Sequence, residues 1–278
     1  MQNFHAPAGH SLAFDVAGSG SPVLLIMGFA TPSSAWSHQI AGLRDRHQVI
    51  WFDNRGINAS TGPVGPWQMA DFADDAVALL DHLGHRRAHV VGQSMGGMIA
   101  QHVALRAPER VDSLALLATH PGGKSARRPP PRAWPLLLGR ALPVAAWRLR
   151  AMAHLLFPAS YLRNGGLANI AQELQRDYGP RQPVATLRRQ LGAMRNHDVI
   201  DHLAALRDMP VLIARPDQDI LVDPCHSDRM LLAMPHAQLV RLADAGHGAI
   251  RQCAQEINQA LLAHFATADD QRNKHASP

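Results

Sequence analysis

The chain has 278 residues, 46% of them apolar and 18% Asp, Glu, Lys or Arg, a balance that fills a sizeable core and excludes a disordered polymer. Its 27 basic and 22 acidic side chains leave a formal charge of +5, too modest to mark a nucleic-acid binder. The two cysteines, Cys225 and Cys253, exclude a disulfide scaffold and a cysteine-rich zinc or iron-sulfur site.

The opening MQNFHAPAGHSLAFDVAGSG lacks a basic region followed by an apolar core and a small-residue cleavage site, and no apolar run reaches about 18 residues. A cytoplasmic protein without an integral membrane segment is expected. Short apolar runs follow at 11–16, 23–27, 49–52, 88–91, 114–117, 211–214 and 238–242, bounded by Gly, Pro or Asp and separated by helical patterns. Strands alternating with helices predict an α/β fold with a largely parallel sheet. The segment WQMADFADDAVALLDHL, 67–83, predicts a helix with Asp71, Asp74 and Asp75 toward solvent. After Gly92 to Gly97, MIAQHVALRA predicts another that Pro108 stops.

Residues 121–205 break the rhythm. PGGKSARRPPPRAWP reads as a proline-stiffened loop, and LLLGRALPVAAWRLRAMAHLLFP as one or two apolar helices interrupted around Pro143. Residues 121–200 carry 12 Arg and one Lys against Glu173, Asp177 and Asp198, a balance of +10 in a chain whose total is +5. Segments 1–120 and 206–270 are expected to form one core, 121–205 a helical insertion, and the polar stretch 271–278 a flexible tail.

Chemistry concentrates at GQSMGG, Gly92 to Gly97, between the strand AHVV and the helix beginning MIAQ. A serine compressed into a strand-to-helix turn projects its hydroxyl from the sheet edge, while small neighbours relieve the tight backbone. Ser94 is the candidate nucleophile, and the Met95 amide at the new helix terminus is a candidate donor to a developing oxyanion. A serine alcohol needs a base. AGH, ending at His247, follows the strand QLVRL, and the strand VLIA runs into RPDQDILVD, so Ser94, Asp219 and His247 supply nucleophile, orienting carboxylate and base in that chain order. Asp217 and Asp223 are rivals to Asp219. Gly28 permits a turn after the strand VLLIM, and Phe29 offers the second oxyanion amide.

Together these features resemble the α/β-hydrolase superfamily over nearly the whole chain. LLIMGFATPSSAW, VIWFDNRGINAST, VVGQSMGGMIAQHVALRAPERVDSLALLATHP, VLIARPDQDILV and ADAGHG are similar to its esterase and lactonase branch, which also contains enol-lactonases and polyketide methylesterases. The resemblance implies a mostly parallel central sheet flanked by helices, with a helical cap inserted after the sixth strand. It also implies Ser94 as nucleophile, Phe29 and Met95 as oxyanion amides, Asp219 as acid and His247 as base. Met27 stands where many relatives have His, Asn58 where a second Gly is frequent, and Pro216 where many have Gly. The DNRG segment, Asp53 to Gly56, is expected to brace the sheet edge.

Gly28, Trp134, Leu138, Trp147 and Phe157 are the candidate pocket residues. Arg127, Arg128, Arg132, Arg140, Arg148 and Arg150 read as a solvated face, with an anionic partner as the alternative. The expected activity is hydrolysis of a small-molecule carboxylic ester or lactone with no metal and no organic cofactor. No Walker or dinucleotide motif is present. A peptidase, thioesterase, cyclase or lyase using the same pocket, or a non-enzymatic small-ligand binding protein, stays open, as does association into a homo-oligomer.

Overall fold

A computed structural model describes residues 1–123, 126, 130–139, 144–178 and 182–276. Among them, eight strands form one sheet in the order β1-β2-β4-β3-β5-β6-β7-β8. These are β1 (Gln2–His5), β2 (Ser11–Ala17), β3 (Pro22–Ile26), β4 (Gln48–Phe52), β5 (Ala88–Gln93), β6 (Val111–Leu117), β7 (Val211–Pro216) and β8 (Gln238–Leu242). The β1–β2 and β2–β4 pairs are antiparallel, and every later pair is parallel.

The two-residue repeat of a strand sorts side chains onto two faces. Leu24, Ile26, Ile50, Phe52, Val90, Leu114 and Ile213 meet α2 (Met69–His82) and α3 (Met95–Arg106) through Phe72, Leu79, Ile99 and Val103. Val23, Leu25, Val49, Val91, Ala115 and Leu212 face the other way. They meet α1 (Ser37–Leu43) at Leu43 and α11 (Ala254–Ala276) at Ile257, Leu261 and Phe265. Strands buried on both faces explain why the sequence shows continuous apolar runs there instead of alternation.

Between β6 and β7 lie α4 (Trp134–Gly139), α5 (Ala145–Leu156), α6 (Ala159–Gly165), α7 (Leu167–Tyr178) and α8 (Val184–Arg195). Part of this stretch has a small core of its own, with Met152, Ala153, Leu156, Phe157, Leu162, Ile170 and Leu174 buried together. The helix break expected at Pro143 lies outside the described residues, as do Arg127, Arg128 and Arg140. After β7 come α9 (Cys225–Ala233) and, following β8, α10 (Ala249–Gln252).

The short edge strand β1 is not among the apolar runs, because QNFH offers one apolar residue and no alternation. Two expectations are corrected. Asp75 does not face solvent. It is 3% exposed, accepts Arg55 Nε at 2.7 Å and lies 3.0 Å from His10 Nε2, since a buried carboxylate survives only when paired. Residues 271–276 continue α11 instead of fraying, and Arg272 ties that end to Asp112 at 2.9 Å and to Asp269 at 3.0 Å. No helix among the described residues is long and apolar enough to cross a membrane.

Candidate active site

The candidate residues gather at the C-terminal ends of parallel strands, where open α/β sheets leave a crevice. Phe29 follows β3, Ser94 follows β5, Asp219 follows β7 and His247 follows β8. Ser94 has φ 56° and ψ −121°, a left-handed turn that a residue with a Cβ adopts only under constraint from its surroundings. That constraint is visible. The Ser94 amide donates to Leu117 O at 2.9 Å, and Ser94 O accepts from Thr119 Oγ1 at 2.7 Å and from the Gly97 amide at 2.9 Å. Gly96 is required by crowding, because a Cβ there would lie 2.0 Å from the Ile26 carbonyl oxygen. Met95 opens α3, so its amide has no acceptor within the helix.

The loop after β3 comes directly against the turn. A Cβ at Gly28 would stand 3.1 Å from Ser94 Cβ. The Ala30 amide donates to Gln190 Oε1 at 2.9 Å and the Thr31 amide to Gly28 O at 3.4 Å, so the two amides after Phe29 are engaged within the protein.

His247 Nδ1 lies 2.7 Å from Asp219 Oδ2, and both side chains are buried. Asp219 Oδ1 accepts the amides of Leu221 at 2.7 Å and Val222 at 2.9 Å. A carboxylate only accepts here, so Nδ1 is the donor, and in the neutral imidazole the free nitrogen is then Nε2, the tautomer that a base requires. The rivals are engaged elsewhere. Asp217 pairs with Arg215 and Arg241 at 2.8 Å each, and Asp223 Oδ1 accepts the Cys225 amide at 3.0 Å. Burial works against ionisation of Asp217, but Arg241 and Arg215 hold its carboxyl below the usual carboxylate range. Gln93, beside Ser94, donates from Nε2 to the His247 carbonyl at 3.2 Å and so links the two loops.

The helices between β6 and β7 press on these loops. The Gly248 amide donates to Leu156 O at 2.8 Å, and a Cβ at Gly248 would lie 2.5 Å from the Phe157 ring. Arg251, one turn beyond His247, pairs with Glu173 and Asp177 of α7. Asp53 accepts the amide and hydroxyl of Ser33 at 2.7 and 2.8 Å, and Asn58 Nδ2 at 3.0 Å. Arg55 stacks between its carboxylate partners and the rings of Trp67 and Phe72, 5.9 and 5.2 Å from their centroids. Asn58 has φ 47°, a conformation that Gly and Asn tolerate best, which accounts for Asn in a position where Gly is frequent.

Of the pocket candidates, Gly28 and Phe157 lie against these loops, whereas Trp134, Leu138 and Trp147 are 47%, 69% and 66% exposed. Those three are corrected from pocket lining to surface, since apolar letters on a helix do not declare which face they take. A cleft of about 680 Å³ runs along the outside of the acid and base loops, between Leu136, Phe157, Ile220 and Gly246.

No sequence pattern singles out His120, which lies three residues beyond β6. Burial pushes its imidazole down to about 4, and the neighbouring His226, Arg229 and His247 push the same way. Its Nδ1 accepts the Gly122 amide at 3.0 Å. No cluster of three or more His, Cys, Asp or Glu among the described residues could hold a metal ion.

A family model described as the alpha/beta hydrolase fold matches residues 21–250. The chain belongs to the α/β-hydrolase family. A relative from Serratia proteamaculans (strain 568), named "Putative carbamate hydrolase RutD", is 32% identical over 90% of this chain and 94% of its own. A thermophilic esterase from Thermogutta terrifontis is 28% identical, covering 96% of this α/β hydrolase and 99% of its own chain with a TM-score of 0.77. A hydrolase from Pseudomonas aeruginosa PA01 is 25% identical, covering 95% and 97%, with a TM-score of 0.81. Hydrolase activity follows from this kinship.

Proposed function

We propose that this α/β hydrolase is a serine hydrolase acting on small or medium, largely apolar carboxylic esters or lactones through an acyl-enzyme. The observation that carries the reading is the 2.7 Å contact between Asp219 and His247, in a loop tied through Gln93 to the strained turn of Ser94.

With Nδ1 held by Asp219, His247 Nε2 takes the Ser94 hydroxyl proton as Oγ attacks the carbonyl carbon. Negative charge moves onto the carbonyl oxygen, where the amides of Phe29 and Met95 stabilise it. Collapse of the tetrahedral species breaks the carbon-oxygen bond to the leaving group, and His247 returns the proton to the departing oxygen. His247 then deprotonates water, which attacks the acyl-enzyme and releases the carboxylic acid and Ser94. In a lactone the leaving oxygen stays tethered, so one hydroxy acid is the product. A carbamate, suggested by the relative's name, offers the same carbonyl with a nitrogen substituent and would be attacked in the same way.

The test is intact mass after incubation with a fluorophosphonate probe, in which Ser94 Oγ displaces fluoride at phosphorus, followed by peptide mapping. Labelling at Ser94 that disappears in Ser94→Ala and His247→Ala is the expected result. A folded wild type that stays unlabelled rejects the activated serine. A panel of p-nitrophenyl esters, lactones and carbamates then ranks the substrate classes.

A further inference from the structure

We infer that Gln190, on α8, is a positioning residue that sets the oxyanion loop for the chemistry proposed above, on which this role rests.

Gln190 is fully buried, and a buried amide side chain is costly unless its polar atoms are matched. Its Oε1 accepts the Ala30 amide at 2.9 Å across 160 residues of sequence, and its Nε2 lies 3.5 Å from Arg55 O. Ala30 has φ 55°, so the loop is held in a conformation that an L residue rarely adopts unaided. The peptide group joining Phe29 to Ala30 is pinned at both ends, its N–H by Gln190 and its C=O by Thr31 Oγ1 at 2.9 Å. The preceding peptide group has its carbonyl, Gly28 O, engaged by the Thr31 amide. In a trans peptide N–H and C=O point in opposite directions, so fixing these two planes fixes the aim of the Phe29 N–H.

The rest of α8 is fastened to the neighbouring loop, which makes Gln190 part of a rigid bracket. Thr186 Oγ1, one turn earlier, donates to Gly56 O at 3.1 Å. Gln182, just before the helix, exchanges bonds of 3.2 Å with the Asn58 amide and side chain. Through Gln190 the helical insertion therefore contacts the backbone of the Phe29 loop directly. Gln190 touches no reacting atom and acts through Ala30.

The experiment compares wild type, Gln190→Met, which keeps the side-chain length and removes the acceptor, and Gln190→Glu, which retains an acceptor oxygen. Steady-state hydrolysis of p-nitrophenyl acetate and hydrogen exchange at the Ala30 amide are read on each. Removing an oxyanion donor outright costs about 10²- to 10³-fold in kcat, and loosening one costs less. Gln190→Met is expected to lower kcat about tenfold or more, shift KM by no more than about twofold and lose protection at Ala30. Gln190→Glu is expected to recover most of the lost kcat and the protection. Retention of kcat within about twofold in Gln190→Met overturns the role, as does equal protection of Ala30 in wild type and variant. Loss of Ala30 protection together with a wild type that never labels at Ser94 rejects the hydrolase reading and, with it, the positioning role, while leaving the contact itself intact.

Discussion

Asp219 accepts His247 Nδ1 on one carboxylate oxygen at 2.7 Å and two backbone amides, those of Leu221 and Val222, on the other. A carboxylate fixed on both oxygens orients an imidazole as well as balancing its charge. Asp219→Asn would offer an amide N–H toward Nδ1 and select the tautomer that presents Nε2–H to Ser94. The expected outcome is a loss of kcat of about 10⁴-fold, with circular dichroism and Tm close to wild type. Asp217→Asn, which removes one charge from a pair of arginine contacts, is expected to change kcat by less than about tenfold. Equal losses in the two variants would reassign the carboxylate.

The turn at Ser94 stores strain. A non-glycine residue at φ 56° and ψ −121° costs about 1–3 kcal/mol, which glycine does not incur, although glycine also gains freedom in the unfolded chain. Ser94→Gly is therefore expected to be more stable than Ser94→Ala by about 1 kcal/mol in urea unfolding, while both lose the labelling and turnover expected of wild type. A less stable glycine variant would mean that the Leu117 and Thr119 contacts hold the turn without strain.

Ser94, Asp219 and His247 stand out as candidates in the sequence because each follows a strand, β5, β7 and β8 in turn, and strand ends are marked by the change from apolar run to Gly, Asp or Pro. Asp112 and Ser113 hid the first residues of β6, since both are polar letters inside a strand. Among the described residues Asp112 pairs with Arg87 at 2.9 Å and Arg272 at 2.9 Å, partners 25 and 160 residues away that no local pattern announces. Gln190 is invisible for the same reason. A glutamine on a basic helix reads as solvent-facing until the loop it caps is folded against it. Trp134 and Trp147 err in the opposite direction, because large apolar residues suggest a pocket and these two stand in solvent.

Close approach at Gly96 gives a third test. An added methyl would meet the Ile26 carbonyl oxygen at 2.0 Å, and the obstacle is backbone, which cannot swing aside as a side chain can. Overpacking of this kind costs about 1–3 kcal/mol, and here it would also shift β3 relative to α3. Gly96→Ala is expected to lower stability by at least that amount and to reduce kcat further than Tm alone explains, because β3 carries the Phe29 loop and α3 carries Met95. At Gly248 the obstacle is the Phe157 ring, 2.5 Å away, which can give by rotating. Gly248→Ala is accordingly expected to be the milder of the two in urea unfolding.

Acid sensitivity follows from histidines buried without charge. Burial pushes His197 down to about 3, helped by the neighbouring His102 and His120, and pushes His120 and His264 down to about 4. In the unfolded chain each takes a proton near 6.5. Below that pH the unfolded state binds more protons than the folded one, so stability is at its full value above about 6.5 and falls as pH drops toward about 4. It levels off where the folded imidazoles protonate as well. Each such histidine contributes a slope approaching about 1 kcal/mol per pH unit where the unfolded group is mostly protonated and the folded one is not. His197→Gln leaves a neutral side chain at the same position and removes one of these protons. Urea unfolding at pH 7, 6 and 5 should show the variant losing about 1 kcal/mol less than wild type between pH 6 and 5, whatever its stability at pH 7. An unchanged slope would mean that His197 takes up its proton in the folded state, beside His102 and the His120 carbonyl that it contacts at 3.3 and 3.1 Å.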